Sequence, residues 1–409
     1  MGTPSSPPPA SDPALDSDAA FSLRRIAVAA FGPSLLFGIG EGAVLPVIVL
    51  MARDLGASVP IAALVVGLVS IGSLLSNIPA SLITARWGER WAIVAAGLWS
   101  AIGMALCLAT QQLWLFALGC LMVGMSQAVY NLARQSYLTE AVPVSYRARA
   151  LSTLGGVMRI GMFIGPFIGA WAMHTWGLHA AFAVGIVGVL CAAAIGLRVP
   201  DLAAPAALPG QPLPTEAPSI AGILRDHHRL FLTLGLGVLL VSAVRASRQV
   251  VIPLWADHLA LAPAAASLVY GLAGAIDMLV FYPAGKLMDL KGRRWVAVPS
   301  MLVMGAAMLL MPLTASVTTL LLAAMALGFG NGIGSGLIMT LGADHAPRHA
   351  RAHFLGLWRL AADLGSSLGP ALLSFLAGSL SLASGIACIG LLAWGAAAAL
   401  ARWIPPAKR

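Results

Sequence analysis

Residues 283–295 read Pro-Ala-Gly-Lys-Leu-Met-Asp-Leu-Lys-Gly-Arg-Arg-Trp, and residues 79–91 read Pro-Ala-Ser-Leu-Ile-Thr-Ala-Arg-Trp-Gly-Glu-Arg-Trp. The two stretches share Pro-Ala, one glycine and Arg-Trp at a constant separation of 204 residues. The same separation relates five further pairs: Glu140 and Asp344, Pro143 and Pro347, Arg147 and Arg351, Gly161 and Gly365, and Pro166 and Pro370. One register that holds over such a distance indicates two copies of one structural unit.

Both stretches lie between long apolar runs. Of the 409 residues, 59% are hydrophobic and only 10% are charged, whereas a soluble domain carries about 25% charged residues. A bilayer core of about 30 Å needs about 20 apolar residues in a helix. Twelve runs meet or approach that length: 26–51, 60–84, 91–110, 113–137, 152–173, 180–197, 230–255, 264–288, 295–313, 317–341, 354–377 and 383–403. This composition excludes a water-soluble enzyme, a nucleic-acid-binding domain and a disordered scaffold.

The twelve runs predict an all-α polytopic membrane protein built from two parallel six-helix pseudo-repeats, because six helices separate equivalent positions. The runs and their linkers divide the chain into five parts. These are a disordered cytoplasmic tail at 1–22, a six-helix bundle at 23–197, a cytoplasmic linker at 198–229, a second bundle at 230–403 and a cytoplasmic tail at 404–409. Parallel repeats with a site between them are typical of secondary transporters.

The charged residues predict the orientation. Nearly all loop Lys and Arg fall on the side that carries both predicted tails, and only Arg53 falls in a loop on the other side. By the positive-inside rule both termini are expected in the cytoplasm, in the cell membrane. The net charge of +9 therefore reports topology, and we expect no nucleic-acid partner.

The sequence contains no recognisable cofactor-binding or metal-binding motif. The four cysteines lie inside apolar runs, which argues against a disulfide framework or a metal site. No phosphate-binding loop is present, so the protein is not expected to hydrolyse ATP itself. We expect no cofactor, no metal and no enzymatic activity, and a monomer that interacts with lipid, protons and a small-molecule substrate.

The loop from Gly285 to Arg294 resembles the Gly-x-x-x-Asp-x-x-Gly-Arg-Arg signature of the major facilitator superfamily. The first-half copy departs from it at three positions: Ser81, Ala85 and Glu89. On the fifth run, residues 161–170 resemble the Gly-Pro signature of the 12-helix drug/proton antiporters in that superfamily. The position where those antiporters usually carry an arginine on helix 4 is Cys120 here. The resemblance implies that helices 1 and 7 line a cavity and that helices 5 and 8 are neighbours.

Three carboxylates inside the runs are candidates for proton coupling: Glu41, Asp277 and Asp363. Charges inside a bilayer are costly and are therefore usually functional or paired. Glu41 is expected to pair with Arg245 or Arg248, either as a proton-coupling pair or as a permanent structural pair. Asp277 is expected to meet Arg159, either as a switch or as a static contact.

Asp363 has Arg359 one turn before it, which favours a structural role but leaves proton coupling open. Further candidates are polar residues that share helix faces. On helix 7 these are Arg245, Arg248 and Gln249, on helix 4 Gln127, Tyr130, Asn131 and Arg134, and on helix 10 Asn331. Such stripes either line a substrate cavity or form hydrogen bonds between helices.

A third group is expected to control the conformation. Asp289 can dock on the N-terminus of helix 5 and on Arg147 or Arg149, which would close the cytoplasmic mouth. Ala85 replaces its repeat mate, so we predict one charged latch and not two. The other members of this group are Gly285, Gly292, Arg293, Arg294, Arg159, Gly161, Gly165 and Pro166.

The sequence as a whole predicts a secondary active transporter, with proton-coupled efflux of small amphiphilic molecules by alternating access as the leading hypothesis. Proton-coupled uptake of a small polar or anionic solute is the alternative, because Arg245, Arg248 and Arg134 would face one cavity. A membrane receptor or scaffold without transport is a remote third possibility.

Overall fold

The computed structural model describes residues 23–142, 144–199, 220–347 and 351–404. The tail 1–22, most of the linker predicted at 198–229 and residues 405–409 lie outside this range. Every regular element in the described part is helical. The twelve long helices are α1 (Leu23–Asp54), α2 (Val59–Thr84), α3 (Arg86–Ala109), α4 (Leu113–Ala141), α5 (Val144–Trp176), α6 (Ala180–Gly196), α7 (His228–His258), α8 (Pro263–Lys291), α9 (Arg294–Leu310), α10 (Val317–His345), α11 (Arg351–Ser379) and α12 (Leu382–Trp403).

These helices confirm the predicted fold class. Eleven of the described helices are long and apolar enough to cross a membrane, and α6 is a shorter apolar helix of 17 residues. A short helix, Ile220–Asp226, precedes α7, and α7 opens with a wider π-helical turn at Phe231–Gly235.

Two equivalent glycines break the helical backbone where the chain turns from α2 into α3 and from α8 into α9. Gly88 has φ 78° and Gly292 has φ 93°, a left-handed backbone that glycine adopts at little cost. We call the end of the bundle that holds these two turns the basic end. The other end, where α1 and α7 finish, is called the distal end.

Helix α10 is one apolar span, as predicted at 317–341, but it is not a continuous helix. It consists of Val317–Ile333 and Leu337–His345, with Gly336 at φ 80° between them. The residues at the break, Gly334, Ser335 and Gly336, have low helix propensity. The apolar run therefore predicts the span across the membrane, but it does not predict the interruption of the helix at residues 334–336.

Small residues let the helices of each half approach closely. A Cβ atom on Gly161 or Gly165 of α5 would lie under 3.0 Å from backbone atoms of α1. Their repeat mates Gly365 and Gly369 stand in the same relation to α7. Such close backbone contact is how membrane helices associate without a hydrophobic driving force.

The two halves meet across α5–α8 and α2–α11. Pro166 of α5 lies against Gly271 of α8, and the mates Pro370 and Gly67 make the same contact between α11 and α2. Toward the distal end, the Ser374 hydroxyl donates a 2.8 Å hydrogen bond to the carbonyl of Pro60. Helices α5 and α8, and likewise α2 and α11, are therefore in contact in their central parts, and α2 and α11 are also in contact toward the distal end.

The same helices separate toward the basic end. A Cβ atom added at Gly155 or Gly156 of α5, Gly285 of α8 or Gly356 of α11 would meet nothing within 4 Å. The space between the two halves therefore opens toward the basic end.

Candidate functional site

A central cavity of about 350 Å³ lies between the halves. Its described lining residues come from α1, α2, α4, α5, α7, α10 and α11. None of them comes from α3, α6, α9 or α12, the four helices that carry no charged or amide side chain in their cores. The cavity lining thus follows the polarity pattern of the sequence.

One wall of the cavity carries a charged cluster around Asp277. Arg248 lies 3.7 Å and Arg159 3.8 Å from the carboxylate oxygens of Asp277. Asn331 donates a 2.5 Å hydrogen bond to the same carboxylate. Arg245 in turn donates a 2.8 Å hydrogen bond to the Asn331 side-chain oxygen. The carboxylate of Asp277 is therefore shared by two cations directly, and a third, Arg245, is connected to it through Asn331.

This cluster contains the contact expected between helices 5 and 8. Arg159 and Asp277 come from different halves, and their ion pair crosses the interface. The two predicted roles of this pair, a switch between access states and a static contact, both stay predictions. Gln249 lies beside the cluster and lines the cavity with Arg245 and Arg248.

Glu41 does not pair with Arg245 or Arg248, so that expectation is wrong for this structure. The residue is only 2% exposed, and neither of its carboxylate oxygens accepts a hydrogen bond from any described residue. It lies in a separate, tight apolar pocket that has no room for a water molecule, which we call the Glu41 pocket. The two arginines point instead toward Asp277 and Asn331, which supply the acceptors that they need.

The polar stripe of α4 is divided between two environments. Gln127 lines the central cavity, whereas Tyr130 and Arg134 are buried against α1. The Tyr130 ring stacks on Phe37 at a centroid distance of 3.8 Å, and Arg134 donates hydrogen bonds to the Tyr130 hydroxyl and to the carbonyl of Ala30.

Arg134 is consequently not a third cation of the cavity, and Tyr130 is not a cavity residue. The exposed Asn131 is not among the residues that line the cavity either. Buried hydroxyl and guanidinium groups need partners. The Tyr130 hydroxyl is bound by Arg134, and Arg134 is bound to the Ala30 carbonyl of α1. For Tyr130 and Arg134 the alternative of hydrogen bonding between helices applies.

A second polar contact crosses the interface at Asp363. The Asn77 side chain on α2 donates a 2.9 Å hydrogen bond to Asp363 on α11, and Arg359 lies 3.9 Å from the same carboxylate. Asn77 is not among the site residues predicted from the sequence. The repeat could have indicated it, because Asp363 is the mate of Arg159, and Arg159 lies 4.6 Å from the ring of Phe281, the mate of Asn77.

The loop at the basic end is held by Arg293. Its side chain donates a 2.9 Å hydrogen bond to Asp344 and lies 3.4 Å from Asp289. The hydrogen bond to Asp344 raises the pKa of Arg293, so this cation stays charged. Arg294 is exposed.

Among the described side chains, none of α5 is in contact with Asp289. Its side chain is 75% exposed, and Arg293 is its described ion-pair partner. The side chains of Arg147 and Arg149 lie outside the described part. The expected latch belongs to a state closed at the basic end, so it stays a prediction.

Comparison with known proteins identifies the family. The sequence model described as Major Facilitator Superfamily matches residues 31–247 and 234–409. The chain belongs to the Major Facilitator Superfamily. The resemblance noted at the loop between α8 and α9 is thereby confirmed, and the protein is a multi-pass membrane transporter rather than an enzyme.

Two bacterial proteins and one solved structure are similar to this chain over most of its length. The chain is 26% identical over 294 residues to multidrug resistance protein MdtH of Klebsiella pneumoniae (strain 342), covering 70% of each chain. It is 25% identical over 340 residues to the protein of that name from Yersinia enterocolitica, covering 82% of each. Among solved structures, a bacterial homologue of the human lysosomal transporter Spinster in an inward-facing, unoccupied conformation matches with a TM-score of 0.74 at 16% identity, over 92% of this chain and 94% of that one.

Proposed function

We propose that the protein exports small amphiphilic molecules in exchange for protons, by alternating access across the cell membrane. In this proposal the basic end and both termini are cytoplasmic, which the distribution of Lys and Arg supports. The structure then corresponds to an inward-facing state, because the cavity opens toward the basic end. The two relatives named as multidrug resistance proteins support export of diverse molecules.

The observation that carries the proposal is the buried carboxyl group of Glu41, which no described residue meets in hydrogen-bonding geometry. An ionised carboxylate without a partner in an apolar site costs several kcal/mol, and such a group normally binds a proton instead. Glu41 lies on α1, at the boundary of the central cavity, where a change of access state can rehydrate it. It can therefore load a proton in one state and release it in another.

The shape and chemistry of the cavity support an amphiphilic substrate. Its first-half wall is largely apolar and includes Leu45, Val66, Val69 and Met162. Its second-half wall carries hydrogen-bonding side chains such as Gln249. A molecule with an apolar body and a polar group fits these two walls.

The proposal is tested in liposomes that contain the purified protein and a pH-sensitive dye. Three fluorescent amphiphiles serve as probes: the cationic Hoechst 33342, the neutral N-phenyl-1-naphthylamine and the anionic 8-anilinonaphthalene-1-sulfonate. A pH gradient should drive at least one probe against the direction of proton flow. Protein-containing liposomes that behave like empty ones with all three probes would contradict transport.

A second candidate is proton-coupled uptake of a small anionic solute. It is favoured by Arg245 and Arg248, two cavity-lining cations of the cluster around Asp277. An anion bound there would electrostatically favour the protonated form of Glu41, so anion and proton would move together. In the same liposomes, the anionic probe would then move in the direction of proton flow.

A further inference from the structure

Gln127 lines both the Glu41 pocket and the central cavity. Leu45 and Val69 are the other two residues that line both. These three side chains form the partition between the pocket and the cavity. Two of them are hydrocarbon, so Gln127 is the member of the partition that can hydrogen-bond to water.

The remaining described walls of the Glu41 pocket offer no comparable group. Val44, Ile48, Met104 and Val123 complete the lining, and all four are apolar. Water that carried a proton past these four side chains would find no hydrogen-bond partner on the protein, which is costly.

On the basic-end side of Glu41 and Gln127, a stacked pair of rings lies between α1 and α4. Phe37 lies one turn before Glu41 on α1, Tyr130 lies about one turn after Gln127 on α4, and their rings are 3.8 Å apart. Tyr130 is a titratable side chain close enough to interact electrostatically with Glu41, and its hydroxyl accepts a hydrogen bond from Arg134. This layer holds the two helices together and leaves the side of Gln127 as the polar route.

We infer that Gln127 controls proton exchange between Glu41 and the central cavity. The inference rests on the proposed function, in which Glu41 carries the coupling proton. Glu41 releases its proton when the O–H bond breaks and water from the cavity takes the proton. The electron pair stays on the carboxylate, which then accepts a hydrogen bond from the amide NH₂ of Gln127. Loading reverses these steps. Gln127 is thus a positioning residue, not a proton carrier.

The test measures the exchange itself and does not depend on transport. Infrared difference spectroscopy of the purified protein in lipid, on a change from H₂O to D₂O, follows the carbonyl stretch of a protonated carboxyl group. A band that is present in the wild type and absent in Glu41→Gln belongs to Glu41. We expect Gln127→Leu to keep this band but to slow its deuterium shift by about tenfold or more.

Two variants separate this role from a general disturbance of α4. Gln127→Asn keeps an amide that is one methylene shorter and should exchange at an intermediate rate. Asn131→Leu removes an exposed amide one turn away, outside both cavities, and should exchange like the wild type. An unchanged rate in Gln127→Leu, or equal slowing in Asn131→Leu, would overturn the inference. Absence of any Glu41 band would instead contradict the proposed proton site.

Discussion

Arg53 and Asp257 are equivalent positions of the two repeats, 204 residues apart, and they bind each other. The Arg53 side chain donates a 2.9 Å hydrogen bond to the Asp257 carboxylate at the distal ends of α1 and α7. Equivalent residues of two parallel repeats can meet only close to the axis that relates the repeats. The pair therefore lies at the centre of the closed distal end, where the halves must separate for the cavity to open on that side.

We predict that Asp257→Asn favours the state that is open at the distal end. The pair is about one third exposed, and such pairs contribute up to about 1 kcal/mol. The population ratio of the two states should therefore change by up to about fivefold. Spin labels on cysteines at positions 54 and 258, with Cys191 and Cys388 replaced by serine, should report a larger long-distance population.

The charge exchange Arg53→Asp with Asp257→Arg provides the control, because it restores an ion pair at the same place. It should return the distance distribution toward that of the parent protein. A distribution that Asp257→Asn leaves unchanged would show that the ion pair does not hold the distal end closed.

Glu41→Gln is expected to leave the stability of the protein unchanged. A glutamine has the shape of a protonated glutamate, and no described residue pairs with the carboxylate. Removal of one partner from a buried ion pair would instead cost about 3–5 kcal/mol. The melting temperature of the purified variant should equal that of the wild type. A loss of several degrees would indicate an ionised, paired Glu41.

Asp277→Asn should have the opposite effect on stability. It removes the one carboxylate that Arg159 and Arg248 share. Because these side chains are partly exposed to the cavity, we expect a loss of about 2 kcal/mol rather than the full cost of a buried pair. The melting temperature should therefore fall by several degrees.

A double variant checks the cause of that loss. Asp277→Asn combined with Arg159→Gln removes one of the cations left without a partner, and it should be less destabilised than the sum of the single variants. Strictly additive effects would mean that the two residues do not interact in the membrane.

Gly165→Ala should destabilise the protein, whereas Gly156→Ala on the same helix should not. A Cβ at Gly165 would lie under 3.0 Å from backbone atoms of Ile39 and Ala43, and one at Gly156 would meet nothing within 4 Å. Overpacking against backbone costs about 1–3 kcal/mol or more, while alanine is the better helix former by about 1 kcal/mol. Equal melting temperatures for both variants would contradict the packing of α5 on α1.

Much of this architecture was predictable because it depends on patterns that repeat. The twelve apolar runs follow from the thickness of a bilayer, and the 204-residue shift relates equivalent turns, such as those at Gly88 and Gly292. It also relates packing contacts, since Gly161 and Gly165 approach α1 as Gly365 and Gly369 approach α7. The spacing of Arg159 and Asp277 in their helices placed both at similar depth, and the structure brings them together.

The pairing of the buried polar residues was not predictable in the same way. A helical stripe shows which residues share a face, but not whether the face meets a cavity or another helix. Arg134 therefore looked like a cavity residue, although it is bound to the carbonyl of Ala30. Similarly, the sequence predicts Arg245 as a partner of Glu41, but α7 is rotated so that Arg245 donates a hydrogen bond to Asn331 instead. Such choices depend on helix rotation, which the apolar pattern leaves free.

The most direct test of the account compares wild type and Glu41→Gln in liposomes, with whichever of the three probes the wild type transports. Without a pH gradient, the variant should equilibrate the probe across the membrane at about the wild-type rate. With a gradient, the wild type should accumulate the probe against proton flow, and the variant should not respond. A variant that accumulates the probe as the wild type does would contradict the role of Glu41 as the site of the coupling proton.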